Sequence, residues 1–379
     1  MRPSYKALTW DHPRGLNALR DAAVEVAPGQ GLTIQWDKQP LEGFESHPIA
    51  DLCARYDLVV LDHPHIGEAV EAGCLQPLED VFAADEIAAL GAASIGPSLT
   101  SYRYAGRHWA LPLDAATQVM AYRPDLAEPV GTWREVAARA RRGGVALSLA
   151  GPHALMNFLS ICAALGDPPA EADPSVLVGP EAGEEAFGIL AEIYAVAERS
   201  TLALNPIGLL GHMAQHDDVT LCPLVYGYVN YARPDAGAKQ VCFADAPAAA
   251  AGGRPGSTLG GTGIGLSARC TVTPELLTHL RWLLGEDAQR DFIPAHDGQP
   301  SRRSAWHDDG VNAAWGNFYR DTAKTLEAAY VRPRHAGYIA WQGEASAQLR
   351  EALAEGANAR GVVSHLNDTH RARIGGRER

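Results

Sequence analysis

Lysine is scarce in this chain of 379 residues: it stands only at positions 6, 38, 239 and 324, so the 32 basic side chains are almost all arginine. Against 45 acidic residues they leave a formal charge of −13. A field of that sign repels phosphate backbones and anionic lipid, so general nucleic-acid or membrane-surface binding is excluded. Cysteine is sparse too, with six residues at 53, 74, 162, 222, 242 and 270 and no C-x-x-C or zinc-knuckle spacing. They form no disulfide framework, and Cys162 in FLSICAAL and Cys222 in VTLCPLV lie in apolar runs where a thiol serves as packing. No run approaches the ~18 to 20 uninterrupted apolar residues of a membrane span. G-x-S-x-G, P-loop, H-E-x-x-H and Ser-His-Asp signatures are missing. The G-x-G at Gly263 and Gly265 precedes a strand and lacks the following helix of a dinucleotide site. No cofactor is expected.

What the chain does have is 46% hydrophobic residues against 20% charged, enough for a sizeable core. Short apolar or alternating runs at 6–10, 31–36, 57–62, 144–150, 218–228 and 263–268 read as strands. Helix-like stretches at 15–26, 66–74, 132–142, 183–199, 273–284 and 343–355 lie between them. Strands alternating with helices predict an α/β fold with mainly parallel sheets. Thr132 with Glu135 fits a capping box, and Thr273 followed by Pro274 fits an N-cap with proline at the first helical position. The Ala/Gly/Pro-rich stretch 246–262 reads as a loop or crossing between domains.

Several segments, in order, resemble the family 1 extracellular solute-binding proteins, the small-solute receptors of ABC importers. They are DLVVLDHPHIGEAVEAGCLQPLEDVF (57–82), YRYAGRHWALPLDAATQVMAYRPDL (102–126) with the T-W-x-E start at 132–135, GQPSRRSAW (298–306) and YVRPRHAGYIAWQ (330–342). The resemblance spans most of the chain. It implies a two-lobed periplasmic-binding-protein-like α/β fold of type II, with a ligand cleft between discontinuous lobes that close by a hinge. The lobes are expected at 1–112 with 256–312 and at 113–255 with 313–379. It further implies a binding protein rather than an enzyme, a monomer that takes a small sugar, polyol or organic acid, and an ABC permease as partner. The opening residues MRPSYKALTWDHPRG contain no apolar h-region, so a chain beginning there is expected in the cytoplasm, and in the periplasm if a leader precedes it.

Candidate ligand contacts cluster at strand ends. Trp10, Asp11, His12 and Arg14 follow the first strand; an indole can stack on a sugar face, Asp can accept from hydroxyls and Arg can clamp a carboxylate. Alternatively, Asp11 caps the next helix and Trp10 fills the core. Asp62 and His63, with His65 beyond, end DLVVLD. These histidines and carboxylates could ligate a divalent metal, but no metal is expected: Asp-His pairs holding each other explain them as well, and would make binding pH-dependent near about 6 to 7. Asp114 and Gln118 mark the first crossing, as ligand contacts or as hinge. Tyr226, Tyr228 and Asn230 would alternate on one strand face. Gly261 and Thr262 would bring backbone N–H groups to a ligand, or form a simple glycine loop. Trp10 and Tyr226 beside acidic groups suit a neutral polyhydroxylated solute, while Arg14 and Arg302 leave room for a carboxylated one. The competing reading is an intracellular enzyme on the same fold, with His12 or His63 as base and Asp11 or Asp62 orienting it.

Overall fold

The computed structural model describes residues 2–233 and 238–375. Among these, the strands are β1 (Ser4–Trp10), β2 (Thr33–Gln39), β3 (Leu58–Leu61), β4 (Arg103–Tyr104), β5 (Arg107–His108), β6 (Leu111–Tyr122), β7 (Leu221–Tyr226), β8 (Cys242–Ala244) and β9 (Leu259–Leu266). The chain divides into two compact units, one of Met1–Ala116, Gly260–Ala313 and Arg334–Gly337, the other of Thr117–Leu259, Ala314–Pro333 and Tyr338–Arg379.

In the first unit β1 pairs in parallel with β2 and β3, and β3 pairs antiparallel with β9. Helix α1 (Pro13–Glu25) makes the crossover from β1 to β2, burying Gly15, Ala18, Leu19 and Ala22 at helical spacing. The shorter helices α2 (Leu41–Ser46), α3 (Ile49–Cys53) and α4 (Ile66–Glu71) follow. Leu8, Ile49, Leu52, Val59, Leu61, Ile66 and Leu75 form one core cluster. Strand β3, LVVL, is buried throughout, as a strand covered on both faces must be.

The second unit is built on the far half of β6, which pairs antiparallel with β7 and β8. Helix His153–Ala164 has every residue buried, the mark of a core helix rather than a surface one. Helices Pro180–Val196 and Tyr338–Glu355 pack on it. Its core joins Met120, Trp133, Phe158, Leu190, Tyr338 and Trp341.

Both marked helix starts are found. Thr132 Oγ1 accepts from Glu135 N at 3.3 Å while Glu135 accepts from Thr132 N at 3.0 Å, and Thr273 caps a helix with Pro274 in its first turn. Parallel pairing, expected to predominate, holds among the strands of the described residues only for β2-β1-β3. Strand β9 arrives from the other unit, not from a crossover helix, so the rule tying parallel pairs to helical crossovers does not bind it. The strand expected at 144–150 is absent. Only Val145 bridges Leu221, and the carbonyls of Ser148 and Leu149 are taken by Asn157 Nδ2 at 3.0 Å and Arg350 Nη1 at 3.1 Å instead of by a ladder.

The glycines at 261 and 263 in β9 have a packing cause. A Cβ on Gly261, whose φ is +88°, would collide with the Asp114 carbonyl oxygen and lie 3.0 Å from Ala115 Cα; on Gly263 it would lie 2.7 Å from Tyr102 Cζ. Gly261→Ala adds positive-φ strain to that collision and is expected to cost about 2 kcal/mol or more in urea unfolding. A loss below about 0.5 kcal/mol would contradict this reading of the strand.

Candidate functional site

Because β1 and β3 are parallel, with Leu8 beside Val59, their carboxyl ends reach one edge of the sheet. Strand β9 begins at that edge, where Gly263 faces Leu61. Trp10, Asp11, His12, Asp62, His63, Gly261 and Thr262 are thereby gathered at one edge of the first unit, the position where open α/β sheets bind ligands.

Their local partners differ from those expected. Trp10 is 3% exposed, its ring stacked on His12 at 5.5 Å and on Phe44 at 5.8 Å, with the Arg14 guanidinium 5.4 Å over it. Gly15 leaves the space that the indole fills. The ring is thus part of the packing at the start of α1, which corrects its expected role as an open stacking face. The helix cap is His12, not Asp11: its Nδ1 accepts from Arg14 N at 3.1 Å, while Asp11 pairs with Lys38 Nζ at 2.8 Å in a half-exposed bridge. Asp62 Oδ1 accepts from His63 N at 2.8 Å and lies 3.0 Å from His63 Nδ1, with His63 fully buried.

Arg14 does clamp a carboxylate, but the carboxylate is Asp114. Nε donates to Oδ2 at 2.8 Å and Nη2 to Oδ1 at 2.5 Å, with the two side chains 4% and 7% exposed. A planar guanidinium in this two-point geometry is committed to its partner. Arg302 is likewise engaged, its Nε 2.6 Å from Glu286 Oε2 and its Nη1 3.1 Å from the Leu284 carbonyl. The two arginines expected to leave room for a carboxylated solute are therefore bound to carboxylates of the chain itself.

In the second unit, Gln118 is wholly buried. Its Nε2 donates to Asn157 Oδ1 at 2.7 Å and its Oε1 accepts from Ser160 Oγ at 2.7 Å. Ser160 is also 2.8 Å from Thr258 Oγ1, and Thr117 is 2.5 Å from Ser257 Oγ. This satisfied network ties the interior of β6 to the residues that lead into β9, and it corrects the expectation of Gln118 as a ligand contact. The alternation expected for Tyr226, Tyr228 and Asn230 fails because β7 ends at Tyr226. Tyr228 precedes a 3₁₀ turn, Val229–Tyr231, which contains Asn230. Tyr226 stays half-buried, edge-on to His153 at 5.8 Å, with its hydroxyl 3.4 Å from the Leu259 carbonyl. The same carbonyl lies 3.4 Å from Nη2 of the buried Arg332, whose Nη1 donates to Gln342 at 2.9 Å. Arg332 and His153 were given no role from sequence, although YVRPRHAGY carried Arg332.

Burial, then the nearby Arg14 charge, lowers the His12 pKa to about 4; burial alone lowers that of His279 to about 4. His12 is thus moved below the range of about 6 to 7 expected for an Asp-His pair, because it is buried and its neighbour in space is a guanidinium. Among the described residues no three His, Cys, Asp or Glu side chains come together as a metal site.

The description of a bacterial extracellular solute-binding protein matches residues 46–318, and the chain belongs to that family. The family is one of substrate receptors of ABC transporters, not of enzymes. Solved structures share the type II fold. A solute-binding protein of Agrobacterium radiobacter K84 in complex with ribitol is 19% identical, with 97% of this chain and 98% of that one covered and a TM-score of 0.79. Maltose-bound MalE3 of T. maritima is 17% identical, covering 97% and 99%, at 0.78. A protein of Thermotoga lettingae TMO bound with alpha-D-tagatose is 15% identical, covering 97% and 99%, at 0.78. No curated protein sequence matches the chain.

Two expectations follow. Arg14→Ala strands a buried carboxylate and should destabilise the protein by about 3 to 5 kcal/mol, with the double variant Arg14→Met, Asp114→Leu losing less. Equal losses in chemical denaturation would show that the charge pair is not the cause. His12 and His279 stay neutral when folded but take up protons when unfolded below pH 6.5. The unfolded state therefore binds more protons between about pH 6.5 and 4, and stability falls as pH drops through that window, by about 1 to 3 kcal/mol per histidine. His12→Asn should flatten the slope in a pH series of urea midpoints, and an unchanged slope would refute the assignment.

Proposed function

We propose that this receptor binds a neutral polyhydroxylated solute, a sugar or polyol, outside the cytoplasm, by hinge closure, and delivers it to an ABC permease. The observation that carries the choice is the internal neutralisation of Arg14 by Asp114 and of Arg302 by Glu286. A receptor for organic acids needs cations aimed at its ligand, and these two point at the chain's own carboxylates. Asp62, 18% exposed at the carboxyl edge of the first unit's sheet, and half-buried Tyr226 of the second unit suit hydroxyl groups, as acceptor and as a face with a hydrogen-bonding tip. The ligands of the similar structures, ribitol, maltose and tagatose, are all neutral and hydroxyl-rich, which supports the same class.

A thermal-shift panel of ribitol, maltose and tagatose with related sugars and polyols, set against citrate and other organic acids, tests this reading. At least one neutral compound should raise Tm through mass action, and the acids should not. A shift with acids alone would sink the proposal. Asp62→Asn, which keeps the local cap, should weaken binding of the best neutral compound by about 1 to 2 kcal/mol with Tm of the free protein little changed.

A further inference from the structure

Two imidazoles come together at the end of the helix Pro206–Gln215 in the second unit. His212 lies in its last turn and His216 caps it, and their ring centroids stand 4.4 Å apart at an interplanar angle of 32°. Both reach solvent, His212 with 18% of its side chain exposed and His216 as an exposed residue. Asp218 Oδ1 lies 2.7 Å from His212 Nε2. A carboxylate can only accept there, so Nε2 carries the ring proton and the lone pair stands on Nδ1. Among the described residues nothing hydrogen-bonds to that Nδ1 or to either ring nitrogen of His216. The backbone beneath is fixed. His216 N donates to the His212 carbonyl at 2.9 Å, and Nη1 of the buried Arg123 donates to the carbonyls of Met213 at 3.0 Å and His216 at 2.7 Å.

We propose that His212 and His216 bind a divalent late transition-metal ion, such as zinc, copper or nickel, with Asp218 as the positioning residue behind His212. Neutral imidazole is a ligand these ions favour, and a carboxylate on its far nitrogen fixes the tautomer and raises its basicity. The two histidines are four residues apart, the separation that puts side chains on one side of a helix. A metal held by nitrogens at about 2.0 to 2.1 Å needs the two about 3 Å apart, which rings with centroids 4.4 Å apart reach by turning about their side-chain bonds. The surrounding charge suits a cation. Arg123 and Lys239 face three carboxylates, with Arg123 bonded to Asp125 and Asp217 and Lys239 to Asp217, while Asp218 serves His212. Only two protein ligands are offered, so water completes the shell, which agrees with the lack of a three-ligand cluster among the described residues. This pair is not one of the Asp-His pairs at the strand ends of the first unit, and the length of β7, about 17 Å, separates it from Tyr226.

The test titrates zinc chloride into the full-length, untagged protein by calorimetry, in a buffer free of chelators and phosphate. One equivalent should bind in the micromolar range. His216→Ala should remove that equivalent, and Asp218→Asn, which keeps the shape but gives up the charge, should weaken it about tenfold. His365→Ala, at an exposed histidine elsewhere in the same unit, should leave it intact. No heat at millimolar zinc, an equivalent that survives His216→Ala, an affinity unchanged by Asp218→Asn, or a loss with His365→Ala as well would overturn the proposal. No solute enters the titration, so its outcome does not turn on which ligand the receptor takes.

Discussion

The buried ion pair of Arg14 with Asp114 is the interaction on which the candidate-site edge of the first unit depends. It ties the first turn of α1 to the middle of the strand running from 111 to 122, and its two partners are 100 residues apart in sequence. Around it the remaining groups take their places: Trp10 lies beneath the guanidinium, His12 caps the helix that carries Arg14, and Gly261 lets β9 approach the backbone of Asp114. Each charge of a pair with almost no water contact needs the other, so one cannot be recruited by a solute without leaving its partner stranded. That constraint, more than any feature of overall charge, determines which ligand chemistry this edge can offer.

The same economy explains why several polar residues at strand ends are not available as contacts. Gln118 is consumed by Asn157 and Ser160, and Arg302 by Glu286 and a helix-end carbonyl. Arg123, in the AYRPDL segment that carried part of the family resemblance, bonds Asp125, Asp217 and the carbonyls of Met213 and His216. The conspicuous polar pattern of this chain thus has a structural share, which holds strands and loops where backbone groups would otherwise be buried without partners.

Much of the fold was legible in the sequence, because strand and helix periodicity and the caps at Thr132 and Thr273 are local signals. The two-lobed family fold was legible only through the order of loose motifs. What was not legible is tertiary. The long strand Leu111–Tyr122 interrupts its apolar pattern with Asp114, Thr117 and Gln118, polar residues that are buried because partners arrive from distant segments. The helix His153–Ala164 is buried on all sides, and its polar residues Asn157 and Ser160 meet Gln118 rather than solvent, so no face of it is marked by exposure to water. At the site, sequence located the residues at strand ends but not their partners: His12 was paired with Asp11 on adjacency, whereas space puts Arg14 and Trp10 beside it.

The central claim is that the ligand is neutral because Arg14 and Arg302 are already paired with carboxylates of the chain. The most direct measurement is calorimetric titration of the best-binding sugar or polyol against the acid made by oxidising its terminal carbon, at matched ionic strength. The account predicts that the neutral compound binds at least about tenfold more tightly, a difference of about 1.4 kcal/mol. Equal or tighter binding of the acid would contradict it.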